Sequence, residues 1–431
     1  MGKIMKSLSL IVAISLSMLL VFSACNKKPG AEGPVTLRCA FWGDVKEIQI
    51  IKNSVERFKE ANPGIEVALE RLPAGDPYTE KILTQLAGGN PVDVMFVNAE
   101  QFYIYAKKGI LMPLNKYVER DNFPVDKFYP KIIDKFSLDG ELYTLPRDIA
   151  PVCVIYYNKD IFKNAGVSYP KDNWTWDDLL KKAKQLTKEQ KGGKTIFGFA
   201  EDWPMWEPFV FSWEGKLVDD VKKPTKCMLG SKEAIDALTF KQDLIYKHKV
   251  MPSPSQLTAM GGVGSSELFM QGHAAMFYSG IWKSPFFREI KKFEWDAVWS
   301  PKGPTGKRGY MVSGGGYAVL KKSKHPDEAW KLITYLAGED GQKELAQTGL
   351  AQPAIKSIAA SKDFLDGKPP KSKKFLLEAV NYGYFGPNTE KYAEMNSAYV
   401  YPNLDRVWSG EKKPSEVMPI IEEEINKNLF K

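Results

Sequence analysis

Two residue types that build chemistry are scarce in this chain. Four cysteines and three histidines in 431 residues are too few for a disulfide-stapled fold, which wants an even, patterned set. They are also too scattered for a metal centre, which wants clustered donors. His248, His273 and His325 read as surface or packing residues, and neither a metal nor any other cofactor is expected. Cys39, Cys153 and Cys227 read as small buried apolar residues, with a Cys39–Cys153 bridge as the alternative that spacing alone leaves open. Arginine-rich stripes are missing as well. Lysines are interleaved with acids, as in Lys321, Lys322 and Lys324 before Asp327 and Glu328, so the net charge of +8 reads as solvated surface and not as a nucleic-acid footprint.

Catalytic signatures are absent too. Gly192-Gly193-Lys194-Thr195 is not a phosphate loop, because Lys188 stands where the first glycine belongs. Ser313-Gly314-Gly315-Gly316 has no following lysine and no GxSxG serine; it reads as a place of close backbone approach. Asp177-Asp178 and Asp219-Asp220 fall at expected helix starts or surface turns, the ordinary place for solvated carboxylates.

What is present is a globular composition, 44% hydrophobic and 26% charged, on a chain of 431 residues, longer than one core usually serves. Two domains are expected. The beginning is an address: Lys3 and Lys6, an apolar run of 15 residues from Leu8 to Phe22, then Ser23-Ala24-Cys25. A spanning helix needs about 20 apolar residues, so this reads as a signal peptide over residues 1–24. Val21 to Cys25 resembles a bacterial lipobox, which implies lipid on Cys25; Phe22 departs from that pattern, and simple secretion after Ala24 is the alternative. Residues 25–34, rich in Gly and Pro, read as a tether.

From Val35 strand and helix alternate. Val35, Leu37, Cys39 and Phe41 share a strand face, and Ile48, Ile51, Val55 and Phe58 recur at helical spacing. Strands over 65–72 and 92–97 enclose a helix over 78–87, giving βαβαβ. An Asp139-Gly140 turn marks a hairpin, Thr175 and Asp178 have the spacing of a capping box for a helix over 176–186, and further strands are expected over 152–157, 274–278 and 317–320. Two α/β halves imply a cleft at their strand ends. Aromatics are conspicuous: among eleven Trp and nineteen Tyr, Trp203, Trp206 and Trp213 lie near Glu201, Asp202, Glu207 and Glu214. Sugar rings stack on indole and their hydroxyls seek acceptors, so indole beside carboxylate is what a carbohydrate site is made from.

Several segments are similar to family 1 of the extracellular solute-binding proteins, the carbohydrate-binding group serving ABC importers. They are Tyr78 to Val94, Leu145-Pro146-Arg147-Asp148 with Tyr156 to Asp160, Trp174 to Leu179, Gly272 to Met276 with Gly280-Ile281-Trp282, Gly314 to Ala318, and Lys324 to Trp330. The resemblance implies an α/β, two-lobed, periplasmic-binding-protein-like fold of class II, each lobe a mixed, mostly parallel sheet flanked by helices and joined by a hinge. One lobe is expected over 35–147 and 305–360, the other over 148–304 and 361–431. By position it implies ligand contacts at Trp42, Gly43 and Asp44, at Asn98 and Glu100, at Asp148, at Trp282 as the stacking indole, and at the backbone of Gly314 and Gly315. Trp203, Trp206 and Glu207 join these on composition, and Tyr384 as a candidate from the tail. Other roles stay open: Asp44 as a helix cap, Asp148 as the partner of Arg147 or of a backbone amide, Trp282 as interlobe packing. Trp174, Trp176 and Trp330 are assigned to the core. The implied function is a non-enzymatic, monomeric, surface or periplasmic lipoprotein that traps a sugar for an ABC permease and touches no nucleic acid. A glycan-degrading enzyme and a two-lobed binder of peptide or phosphodiester are the rivals.

Overall fold

The computed structural model describes residues 33–43, 45–189, 195–260 and 265–431. The signal segment, Cys25 and the start of the tether, Asp44, and Gly192 to Lys194 therefore lie outside the described residues. β1 (Val35–Phe41) buries Leu37, Cys39 and Phe41, since alternate side chains of a strand share a face. α1 (Val45–Ala61) turns Ile51, Val55 and Phe58 inward, and Gly64, at φ 102°, turns the chain into β2 (Ile65–Arg71), parallel to β1. α2 (Asp76–Ala87) leads to β3 (Val94–Asn98), parallel on the other edge of β1. Gly315–Val319 then pairs antiparallel with β3, and Leu145–Pro146 with Gly315–Val319, to complete the first lobe's five-stranded sheet.

The second lobe's sheet runs in the order Ala200–Glu201, Met276–Ser279, Val154–Asn158, Trp295–Trp299. Only Ala200–Glu201 joins in parallel; Val154–Asn158 is antiparallel to both neighbours, which departs from the mostly parallel pairing expected. Alternation of strand and helix sets the layers, but it does not set the direction in which a long excursion returns, and lengthening a loop adds little closure entropy. The strand Val154–Asn158 is buried throughout because its two faces serve different cores. Tyr156 packs with Phe269, Phe287 and Trp295, whereas Ile155 and Tyr157 belong to the other core, where Tyr157 meets Phe162. A strand covered on both faces has no solvent face to show as polar alternation.

Asp148–Pro151 forms a small sheet with Val312–Ser313 and Gln352–Pro353, antiparallel on both sides. The first two carry the chain between a strand of one lobe's sheet and a strand of the other's, and the third lies beside them. The C-terminal helices Tyr401–Trp408 and Pro414–Asn428 bury Leu404, Val407, Val417, Ile421 and Ile425 in the second lobe's core. Trp174, Trp176 and Trp330 are core residues, and Cys39, Cys153 and Cys227 are buried free thiols, which removes the Cys39–Cys153 bridge. No described helix is long and apolar enough to cross a membrane.

Local signals carry through. Asp139 and Gly140, at φ 52° and 87°, make the two-residue turn between Ser137–Leu138 and Glu141–Leu142, the backbone that Asp-Gly favours. The helix Trp176–Leu186 opens with a complete capping box: Thr175 Oγ1 accepts from the Asp178 N–H at 3.2 Å, and the Thr175 N–H donates to the Asp178 carboxylate at 3.0 Å. Thr175→Ala is expected to lower the unfolding free energy by about 1 kcal/mol, with Thr175→Ser close to the parent; urea denaturation reads both.

Candidate functional site

A cleft of about 1350 Å³ opens between the two lobes, at the carboxyl ends of the strands. From the first lobe, the end of β1 delivers Trp42, the end of β3 delivers Asn98 and Glu100, and the crossing segments deliver Asp148 and Gly314-Gly315. From the second lobe come Trp203 and Glu207, after the strand Ala200–Glu201, and Trp282, after Met276–Ser279. Tyr392, Asn396 and Tyr401 reach it from the tail.

A buried ionic knot fixes the first wall. The Arg147 guanidinium donates through Nε to Asp148 Oδ2 at 2.6 Å and through Nη1 reaches Glu47 Oε1 at 2.8 Å, while it lies over the Phe96 ring at 4.3 Å. Asp148 Oδ1 accepts from the Gly315 N–H at 3.1 Å. Asp148 therefore spends one oxygen on Arg147 and the other on a backbone amide, the role left open for it above. That bond also commits the Gly315 amide to the protein, contrary to the expectation that it meets a ligand. Glycine is needed at 315 because a Cβ would fall 2.0 Å from Phe96 Cζ, and at 314 because a Cβ would meet the Asp148 carbonyl at 2.7 Å with φ at 149°.

Phe96 in turn supports Trp42, edge to face at 5.4 Å and 74°. The indole Nε1 of Trp42 has no hydrogen-bond partner, and neither has Oε2 of Glu100. Burial raises the Glu100 carboxyl above the usual carboxylate range, with Ser313 and the Lys135 charge pulling it back. Asn98 uses its side-chain oxygen to accept from the Gln101 N–H at 3.1 Å, so its NH2 group is what a ligand can meet.

The second wall is built around Asp202. Its Oδ2 accepts from Ser279 Oγ at 2.8 Å and Trp282 Nε1 at 3.4 Å, and its Oδ1 pairs with Lys283 Nζ at 2.9 Å. This orients Trp282 parallel to Trp203, with centroids 6.0 Å apart and planes 19° apart, and Trp203 stays 43% exposed. Trp282 also packs against Leu350 and Ala351, so interlobe packing and cleft lining share the same ring. Beneath the loop, Lys241, 1% exposed, pairs with Glu201 at 2.8 Å, donates to the Met205 carbonyl and lies 4.2 Å from the Trp408 centroid. Glu207 follows on that loop. Burial pushes its carboxyl up to about 7, with Glu100 across the cleft adding to the rise.

Two expected residues lie elsewhere. Trp206 is 1% exposed within the second core, since the helix Glu207–Ser212 that follows turns its neighbour Glu207 outward and Trp206 in. Tyr384 stacks on Phe211 at 4.6 Å and 19°, and it lines a separate groove. Its backbone is engaged on both sides, its N–H donating to Tyr310 and its carbonyl accepting from Val312. Sequence reasoning missed Asp202 and Lys241 as supports and Tyr392, Asn396 and Tyr401 as lining.

Similar proteins bracket this architecture. An arabinooligosaccharide-binding protein of Bacillus subtilis is 25% identical over 350 residues, 78% of this chain and 77% of that one. An ABC substrate-binding protein of Listeria monocytogenes, solved in complex with cycloalternan, superposes with a TM-score of 0.82 at 27% identity over 92% of this chain and 99% of that one. Maltose-bound T. maritima MalE3 shares the fold at a TM-score of 0.79 and 23% identity, over 92% of this chain and 100% of that one. The profile of the bacterial extracellular solute-binding proteins matches residues 42–343, and with the two-lobed fold this places the chain in that family.

Proposed function

We propose that this chain is the carbohydrate-capturing subunit of an ABC importer. In this reading it is a monomeric lipoprotein, held at the cell surface or in the periplasm by lipid on Cys25. It closes one lobe (35–147 with 305–360) on the other (148–304 with 361–431) around a mono- or oligosaccharide and presents the closed form to a permease. It breaks no covalent bond.

The observation that carries the reading is the pairing of aromatic faces with unspent polar groups across one cleft. The parallel indoles of Trp203 and Trp282 offer apolar planes, and Trp42 Nε1 and Glu100 Oε2 stand without partners on the opposite wall. A sugar answers both: its ring face removes apolar area from water, and its hydroxyls donate to a carboxylate and accept from an indole N–H. The cargoes of the relatives, arabino-oligosaccharides, cycloalternan and maltose, support the same class. Asp148 enters as the residue that fixes the floor, Gly314 and Gly315 as those that let the floor pack, and Asp44 as a contact proposed from its place after β1.

Calorimetry against a panel of mono- and oligosaccharides tests the reading; stoichiometric heat with unchanged sugar in product analysis is the expected result, and steady appearance of shorter sugars would replace it with a hydrolase. With the sugar so found, Trp282→Ala is expected to weaken binding at least ~10-fold, as loss of a central aromatic anchor does.

Glu207 gives the site a pH dependence. Its raised carboxyl, near 7, is mostly protonated at pH 6 and mostly ionised at pH 8. A hydroxyl donates more strongly to the ionised form, so binding favours proton release and affinity rises with pH, by about tenfold from pH 6 to 8 if only the ionised form binds. Titrations at the two pH values should show this rise in the parent and a flat response in Glu207→Gln.

A further inference from the structure

A second groove, of about 1230 Å³, shares no lining residue with the cleft. Eight lysine and arginine side chains line it against three carboxylates, in a chain whose totals are nearly balanced at 60 and 52. Two of the eight are neutralised: Lys222 pairs with Asp134 at 3.0 Å and Lys307 with Glu214 at 2.6 Å. The other six form no ion pair with any described residue.

Three of those six are fixed in place by groups that orient them without cancelling their charge. Lys131 Nζ donates to the carbonyls of Asn381 and Gly383. Lys135 Nζ donates to the Gly386 carbonyl at 3.1 Å and to Asn388 Oδ1 at 2.8 Å. The Arg308 guanidinium carbon lies over the Trp299 ring, 4.3 Å from its centroid, and Nε donates to the Ser300 carbonyl at 2.8 Å, with Nη2 left unpartnered. Burial lowers the proton affinity of all three and pushes Lys135 down to about 8 against the opposing pull of Glu100 and Asp134, as it does for positive charge withdrawn from water. An open lysine surface would be screened within about 8 Å at physiological salt; a concave wall with an excess of one sign focuses its field instead. Exposed rings of Tyr382 and Tyr384 stand beside the cations.

We propose that this groove is a second ligand site, for a small multivalent anion bearing phosphate or sulfate groups. Lys131, Lys135 and Arg308 form its fixed floor, Lys107, Lys223 and Lys302 its rim, and its filling does not need the Trp282 indole of the cleft.

The test is calorimetric titration of the chain with sodium tripolyphosphate at constant ionic strength. One-site binding is expected, weakened at least ~10-fold in Lys131→Gln/Arg308→Gln, since each substitution removes a charge-assisted contact. Should that variant unfold on its own in a thermal melt, Lys107→Gln/Lys223→Gln on the rim takes its place, with a smaller loss of about threefold expected from exposed charges. Trp282→Ala should bind tripolyphosphate as the parent does. Absence of binding beyond that of sodium chloride at matched ionic strength, equal binding by parent and groove variants, or loss of binding in Trp282→Ala would each overturn the proposal; the first two leave sugar capture in the cleft untouched, and only the last would bear on it.

Discussion

The geometry of the cleft hangs on the charge network of Arg147. Glu47 comes from α1, Asp148 and Arg147 from the start of the crossing strand, and the amide that Asp148 holds belongs to Gly315, so one guanidinium ties a helix, a crossing segment and a sheet strand together. All three charged residues are under 10% exposed. Charges so buried are tolerated only when fully partnered, and removing one partner strands the others at a cost of about 3–5 kcal/mol. The same guanidinium lies against Phe96, which supports Trp42. The indole at the mouth of the first lobe is thus positioned, through one ring, by an ionic knot that itself offers the ligand nothing.

The second wall repeats that logic with other residues. Asp202 gathers Ser279, Trp282 and Lys283, and the Glu201–Lys241 pair holds the carbonyl of Met205 from below. In both lobes the strongly paired charges face inward and fix aromatic side chains that face outward. One carboxylate per lobe, Glu100 and Glu207, escapes this use, and burial raises both. A site whose rigid parts are already satisfied, and whose remaining polar atoms are few and opposed, loses little ordering entropy when a ligand enters.

What the sequence made legible was local. Thr175 with Asp178, Asp139 with Gly140, and the periodicity of α1 each encode geometry within four residues, and each appears as read. Trp42, Asn98, Glu100 and Trp282 were placed at the cleft by the family resemblance, and the ends of strands do carry them there. Composition was a weaker guide: Trp206 and Glu207 are adjacent, but Trp206 is the residue before the helix and turns into the second core, whereas Glu207, the helix's first residue, lines the cleft. Lys241 looked like surface because lysines usually are. Its signal was nonetheless present, since Ala234, Ala237, Leu238, Leu244 and Ile245 are the buried positions of its helix and Lys241 falls among them at helical spacing. A lysine inside an apolar stripe asks for a buried acid, and Glu201 supplies it. The antiparallel second sheet and Tyr401 had no such signal, because both depend on where a long excursion returns.

The proposed cycle moves one lobe against the other through the crossing segments, and it includes weak contacts between the lobes. Lys46 on α1 meets Glu289 of the second lobe at 2.6 Å, yet both side chains are about half exposed, at 48% and 55%, and pairs of that kind contribute about 0–1 kcal/mol. Gly314 is the single residue between the crossing strand Val312–Ser313 and the first-lobe strand, and its backbone, at φ 149°, is one that a side chain would oppose. A ligand shifts such an equilibrium by no more than the contacts it makes in one form and not in the other. In the proposed cycle the indole pair on one wall and the unpartnered Trp42 Nε1 and Glu100 Oε2 on the other are contacts of that sort, since one sugar held between the walls is what meets both.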